Sequence, residues 1–74
     1  MLDLTWSVEG EVVDLDYCSQ RVTINYRGFQ IRIFATEKQI DKIMLKRLGY
    51  KSMKFILGKD GKLISFEGTV RQPR

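Results

Sequence analysis

The sequence contains no histidine and only one cysteine, Cys18, among its 74 residues. A single chain therefore has no internal disulfide and lacks the thiolate and imidazole ligands of the usual zinc sites. Cys18 also lacks a histidine that would activate it as a nucleophile, which argues against a thiol enzyme. We expect no metal and no other cofactor. Because this cysteine usage fits a reducing compartment, we expect the protein to be cytoplasmic.

Long apolar runs, repeats and linkers are also missing. No stretch approaches the roughly 20 apolar residues that a membrane helix needs, and no basic segment precedes an apolar run at residues 1–4. We therefore expect no membrane partner and no export signal. The only proline, Pro73, lies in a short basic tail at residues 71–74. Residues 1–74 are predicted to form one domain.

Acidic and basic residues are unevenly distributed along the chain. It carries 13 lysines and arginines against 9 acids, a formal net charge of +4. Residues 1–16 contain five of the acids, Asp3 included, and no base, so all the positive charge follows residue 16. A basic field of this kind on a small domain favours a polyanionic partner.

The sequence contains no complete set of residues typical of a catalytic site. Acids are paired at positions 9 and 11 and at positions 14 and 16, but two carboxylates do not hold a divalent cation without further ligands. Their simpler interpretation is a solvated strand followed by a turn. The glycines on either side of Asp60 are not followed by the lysine and hydroxyl residue of a phosphate-binding loop. We predict no catalytic residue, no metal site and no enzyme.

The first predicted strand is long and changes phase. Apolar or small residues alternate at first and then slip by one position, a pattern typical of a bulge or a sharp bend. We expect one strand that bends near residues 10–13 and contributes to two sheets in turn. The two sets are Trp6, Val8, Gly10 and Val12, and then Val13, Leu15 and Tyr17.

A hairpin follows around Arg27 and Gly28. Apolar residues alternate up to this pair and away from it, so a two-residue loop sets Tyr26 against Phe29 and makes one face wholly apolar. The same register predicts that a polar and basic face carries Arg21, Thr23, Asn25, Gln30, Arg32 and Phe34.

A helix is predicted over residues 37–48. Thr36 and Gln39 have capping-box spacing, and Gly49 supplies a stop. The predicted buried stripe consists of Ile40, Ile43, Met44 and Leu48, while Lys38, Lys42 and Lys46 form a basic stripe on the wet side.

A second hairpin follows the helix. Asp60-Gly61 suits a type I′ turn, which would set Leu57 against Ile64 and Phe55 against Phe66. Together the two hairpins predict a core that includes Tyr26, Phe29, Ile31, Phe55 and Phe66.

The resulting order, β-β-β-α-β-β, is all-β with one helix and resembles the five-stranded oligonucleotide/oligosaccharide-binding barrel, the OB-fold. The resemblance covers residues 6–70, and residues 8–12, Val-Glu-Gly-Glu-Val, are similar to the opening strand of S1-type domains. The interleaved Phe and Gly of cold-shock domains are absent. A small SH3-like barrel is the alternative, but such barrels usually have no helix of this length at this place.

The resemblance implies a binding face across the second and third strands, flanked by the first-to-second and fourth-to-fifth strand loops. Cations there would hold phosphates, aromatic rings would stack on bases, and amides and hydroxyls would bind base edges. We therefore expect a non-enzymatic module that binds single-stranded RNA or DNA with little sequence preference. The site residues are Tyr17, Arg21, Thr23, Asn25, Gln30, Arg32, Phe34, Lys59 and Lys62.

Two other interpretations remain open. The polar sheet face is equally typical of an ordinary solvated surface. Alternatively, the chain is a protein-interaction module, such as a small regulator or inhibitor, that docks through its acidic first strand or an open sheet edge. In that case Trp6 beside the acids would be the anchor.

Overall fold

Five strands and one helix follow one another in the computed structural model, which describes residues 5–73. Asp3 of the predicted acidic segment and Arg74 of the predicted tail lie outside the described residues. The predicted order β-β-β-α-β-β is confirmed. The elements are β1 (Thr5–Asp16), β2 (Arg21–Tyr26), β3 (Phe29–Phe34), α1 (Glu37–Arg47), β4 (Tyr50–Gly58) and β5 (Leu63–Arg71).

The strands form one antiparallel sheet in the order β3-β2-β1-β4-β5. β1 lies in the middle because its first half, residues 5–10, pairs with β4 and its second half, residues 11–16, pairs with β2. The register shifts between Val12 and Asp14, which leaves Val13 as the extra residue of a bulge. The predicted phase slip and the long first strand are confirmed, but β1 joins its two sets of partners within one sheet and not two.

Gly10 lies where β1 changes partners. A Cβ atom at this position would collide with the backbone oxygen of Asn25 on β2. The two backbones approach so closely that only glycine fits without a local shift.

The β2–β3 hairpin has the predicted register, with Tyr26 opposite Phe29 and Val22 opposite Ile33. Arg27 and Gly28 both have positive φ values, 51° and 85°, as a type I′ turn requires.

The β4–β5 turn differs from the prediction. Gly58 N donates to Lys62 O at 3.0 Å, and Gly61 N donates to Gly58 O at 3.0 Å, so three residues form the loop. Of this loop only Gly61 has a positive φ, 82°. This is a type I turn followed by a left-handed glycine, and the predicted type I′ turn is wrong.

The longer loop changes the pairing next to it. Leu57 lies opposite Leu63 instead of Ile64, and a register shift between Ile56 and Leu57 restores the predicted pair of Phe55 and Phe66. Ile64 is consequently 57% exposed.

Helix α1 begins with the predicted capping box. Gln39 N donates to the Thr36 hydroxyl, and Thr36 N donates to the Gln39 side chain at 2.9 Å. Ile40 and Ile43 are buried, but Met44 and Leu48 are exposed, so half of the predicted apolar stripe is wrong. Only a narrow strip of the helix meets the sheet, and Leu48 is already the C-cap residue.

The core lies between the inward side chains of the sheet and the helix. Of the predicted core residues, Phe55 is fully buried, while Tyr26, Ile31 and Phe66 are half-buried and pack against the core. Phe29 is 73% exposed, so its prediction as a core residue is wrong. It occupies the first position after the hairpin turn, where alternation continues but the core no longer reaches. The buried apolar residues are Val8, Val12, Val22, Ile24, Ile33, Ala35, Ile40, Ile43, Met53, Phe55, Leu57 and Leu63.

The two outer strands, β3 and β5, meet at one point. Phe34 and Lys62 form a single parallel bridge, and Phe34 N donates to Gly61 O at 3.2 Å. The chain then enters α1. This helix lies beside β5, where Gln39 Nε2 donates to Leu63 O at 3.0 Å. No helix within residues 5–73 is long and apolar enough to cross a membrane.

Candidate nucleic-acid interface

Six of the predicted site residues lie on one face of the β2–β3 hairpin. In directly opposed pairs, Arg21 faces Phe34, Thr23 faces Arg32 and Asn25 faces Gln30. All are exposed except Thr23, whose side chain is buried. The period-two alternation of both strands produces this arrangement, because the apolar residues between them turn inward.

Phe34, at the end of β3, is the aromatic residue of this face. The Arg21 guanidinium carbon lies 5.3 Å from the centroid of the Phe34 ring, which is a cation–π distance. The Phe34 side chain remains 44% exposed. The ring therefore carries a cation beside it and still offers surface to a planar group.

The β4–β5 loop comes to the other side of Phe34. Lys62 is bridged to Phe34 through the backbone, and Lys59 lies exposed on the same loop. The Asp60 carboxylate accepts from Lys62 N at 3.1 Å and so belongs to the turn itself. A cleft of about 320 Å³ opens beside Phe34 and Lys62, at the small end of the range for ligand pockets.

Tyr17, predicted to stack on a base, is engaged elsewhere. Its hydroxyl donates to Asp41 Oδ1 at 2.6 Å, which ties the β1–β2 loop to α1. This hydrogen bond raises the pKa of Tyr17 above its ordinary value, because it favours the protonated phenol. The sequence carries no signal for this pair, which joins residues 24 positions apart.

A row of carboxylates borders the face on its β1 side. Glu11 lies opposite Asn25, Asp14 opposite Thr23 and Asp16 opposite Arg21. The bulge at Val13 is what brings positions 11, 14 and 16 to one side of the strand. Sequence reasoning placed these acids on the first strand but missed their position beside the arginines, because alternation does not reveal which strands are neighbours.

Asp16 at the end of this row also shapes the β1–β2 turn. Its Oδ1 accepts from Cys18 N at 3.0 Å and from Ser19 N at 3.3 Å. Hydrogen bonding from Ser19, from its side chain first, holds the pKa of Asp16 below its ordinary value, because these bonds favour the charged carboxylate. Within residues 5–73, no three acids or cysteines are grouped so as to hold a metal ion.

Trp6 does not join the acids. Its indole Nε1 donates to Gly58 O at 3.0 Å, and its position on β1, opposite Leu57, places it on the face away from Glu9. β1 is also the central strand, with β4 paired to residues 5–10 and β2 paired to residues 11–16. Trp6 and Glu9 therefore lie on opposite faces of β1, and the outer strands of the sheet are β3 and β5.

Comparisons with protein-family models, with curated protein sequences and with solved structures find no significant match to this chain. A functional proposal therefore rests on the geometry of its own side chains.

Proposed function

We propose that this protein is a small OB-like module that binds single-stranded RNA or DNA on the outer face of β2 and β3 and performs no chemical step. One observation carries the proposal: the half-exposed ring of Phe34 lies between the guanidinium of Arg21 and the lysine-bearing β4–β5 loop. A flat apolar ring among cations is the combination that a flexible polyanion with stacking bases requires.

The proposal includes a curled, partly open barrel. Three observations support it. β1 pairs with strands on both sides in succession, a bulge lies at its bend, and the outer strands β3 and β5 touch at the Phe34–Lys62 bridge. In a barrel of this kind, the ligand crosses the second and third strands and passes the loop between the fourth and fifth.

The charges on the face define the path of the nucleic acid. The carboxylates on β1 repel phosphates, so the backbone is confined to the side of the face away from β1. This path runs along Arg32, along Phe34 with the Arg21 guanidinium at its ring, and along the lysines of the β4–β5 loop. Asn25 and Gln30 lie at the far end of the hairpin face, where their exposed amides can bind base edges. Thr23 is buried and contributes least.

The direct test is fluorescence anisotropy with labelled poly-pyrimidine RNA and DNA of about 12 nucleotides, within the range that one OB fold covers. If Arg21, Arg32, Lys59 and Lys62 each neutralise one phosphate, the log–log salt slope is about −2.8, and raising salt from about 50 to about 200 mM weakens binding about 50-fold. Absence of binding to either polymer at the lower salt concentration contradicts the proposal.

Matched variants separate a site from general attraction to a basic protein. Phe34→Ala is expected to cost about 1 to 3 kcal/mol of binding without changing the salt slope, because no counterion is released at a ring, and Phe34→Tyr should restore binding. Phe29→Ala is the aromatic control, since Phe29 is exposed on the opposite face of the same strand.

Arg32→Ala should lower both the affinity and the slope, the latter by about 0.7. Lys51→Ala, which removes an exposed cation on β4, is the charge control and should change little. Equal effects of Arg32→Ala and Lys51→Ala, together with no effect of Phe34→Ala, would show non-specific attraction and refute the site.

A further inference from the structure

A second surface lies between α1 and the free edge of β5. It is a groove of about 620 Å³ whose apolar lining comes from Leu45 on the helix and from Ile64 and Phe66 on the strand. Leu45 is 68% exposed and Ile64 is 57% exposed, while Phe66 is half-buried against Phe55. Apolar side chains from two elements are thus exposed next to each other along the groove.

The strand side of this groove offers unpaired backbone. β5 is the last strand of the sheet, and over residues 64–71 the described contacts give its outer edge no partner. The strand is fixed near both ends, because Gln39 Nε2 donates to Leu63 O and Gln72 N donates to Gly49 O, next to β4, at 3.1 Å. An exposed, fixed strand edge is a template for an added strand.

The helix side of the groove is basic. Lys42 and Lys46 lie one turn apart along it, and none of the described residues that line the groove is an acid. Lys46 Nζ lies 5.5 Å from the centroid of the Tyr50 ring, which holds this ammonium group close to the sheet. An acidic segment would therefore complement the positive charge of the groove.

We propose that this groove binds an extended acidic segment of a partner protein, which pairs with the edge of β5. Alternate side chains of such a segment point to opposite sides. One set packs as apolar groups on Leu45, Ile64 and Phe66, and carboxylates at its margin meet Lys42 and Lys46. This surface is separate from the Phe34 face and does not depend on nucleic-acid binding.

Charge and backbone chemistry favour this occupant over two others. A nucleic acid would satisfy the lysines, but it has no backbone that continues a β-sheet. A second copy joined edge to edge through β5 would bring a second pair of lysines to the same groove, and like charges at close range oppose association.

The test is anisotropy of a labelled peptide with alternating Glu and Leu, of the same nine-residue length as β5. A peptide with Lys in place of Glu is the charge control, and a peptide with two prolines in place of Leu is the backbone control, because proline does not donate to a ladder. We expect both control peptides to bind at least about tenfold more weakly than the acidic peptide.

Protein variants locate the site. The double variant Lys42→Glu with Lys46→Glu, and separately Leu45→Ser, should each weaken binding of the acidic peptide about tenfold. Lys51→Glu and Leu48→Ser are the controls and should leave it unchanged, since Leu48 is 78% exposed near the same helix end but does not line the groove. Thermal melting verifies that every variant remains folded, as the exposure of these positions leads us to expect.

Three outcomes overturn the proposal. The first is an acidic peptide that binds no tighter than the lysine peptide. The second is a charge-reversal variant that loses binding to labelled RNA but keeps binding to the peptide, which would assign the lysines to the nucleic-acid surface. The third is a dimer, seen by sedimentation, that Leu45→Ser dissociates while no peptide binds, which would make the groove a contact between copies.

Discussion

The β2–β3 face and the α1–β5 groove both carry two cations within a short distance, but their neighbours differ. On the face, Arg21 lies directly opposite Asp16, and both arginines share a cleft with Asp14 and Asp16. In the groove, Lys42 and Lys46 lie beside apolar side chains, with no acid among the described lining residues. The net charge of +4 therefore says little about either surface. The neighbouring side chains across the strands and along the helix determine whether the electrostatic potential around a cation is mixed or purely positive.

The two surfaces also differ in what they offer to a ligand. Both surfaces include an outer strand of the sheet, but the ligand proposed for the face crosses β2 and β3 and meets their side chains. The groove lies at the sheet edge, where backbone groups are free as well. We expect the face to bind a ligand through rings and charges, and the groove to bind a ligand that supplies a strand of its own.

The substitution with the largest expected effect destabilises the whole domain and so removes both surfaces together. Phe55 is fully buried in the core and packs against Phe66, with ring centroids 6.1 Å apart. Phe55→Ala should cost about 3 to 5 kcal/mol of folding free energy, which is most of the stability of a small domain. Circular dichroism during urea or thermal unfolding measures this loss. Phe29→Ala is the control and should melt like the unchanged protein, whereas an unaltered midpoint for Phe55→Ala would refute the core.

An intermediate effect separates the face from the groove. Asp14→Asn together with Asp16→Asn removes two negative charges from the border of the face, and the amide that replaces the Asp16 carboxylate still offers an oxygen to the turn. RNA affinity at low salt should rise about three- to tenfold, because exposed charges contribute at most about 1 kcal/mol each. Affinity for the acidic peptide should not change.

The matched control for that pair is Glu9→Gln. Glu9 is an exposed acid on the half of β1 that pairs with β4, so it lies away from Arg21 and Arg32. A gain in RNA affinity as large as that of the Asp14 and Asp16 variant would show that only total charge matters, and the distinction between the two surfaces would fail.

The smallest effect concerns the contact between the β1–β2 loop and the helix. The hydrogen bond from Tyr17 to Asp41 raises the pKa of Tyr17 in the folded state. The stability from this bond is thus complete below the ordinary tyrosine value of 10.0 and is lost as pH rises through the folded-state pKa. Both surfaces should bind their ligands unchanged near neutral pH.

Ultraviolet titration of the three tyrosines measures this shift. Asp41→Asn should lower the pKa of Tyr17, and Tyr17→Phe should remove the titration step that Asp41→Asn shifts. An identical titration curve for Asp41→Asn and the unchanged protein would contradict the Tyr17–Asp41 bond.

Local signals predicted most of the elements, and their failures have local causes. Asp60-Gly61 fits either a two-residue type I′ loop or a three-residue loop with a left-handed glycine. Here the bond from Lys62 N to the Asp60 carboxylate accompanies the longer loop, which exposes Ile64. Phe29 obeys the alternation but lies past the end of the core. Periodicity reports which side a residue faces, but not whether anything covers it.

The sequence by itself determined the features that arise from interactions between residues close together in the chain. The capping box at Thr36, the register around Arg27-Gly28 and the bulge at Val13 follow from short-range sterics and hydrogen bonds, so their signals lie within a few positions. Only the tertiary structure decided that carboxylates border Arg21, that Lys62 meets Phe34, and that α1 lies beside β5. These contacts join distant segments through the order of the strands, and a pattern of alternation is the same for every order.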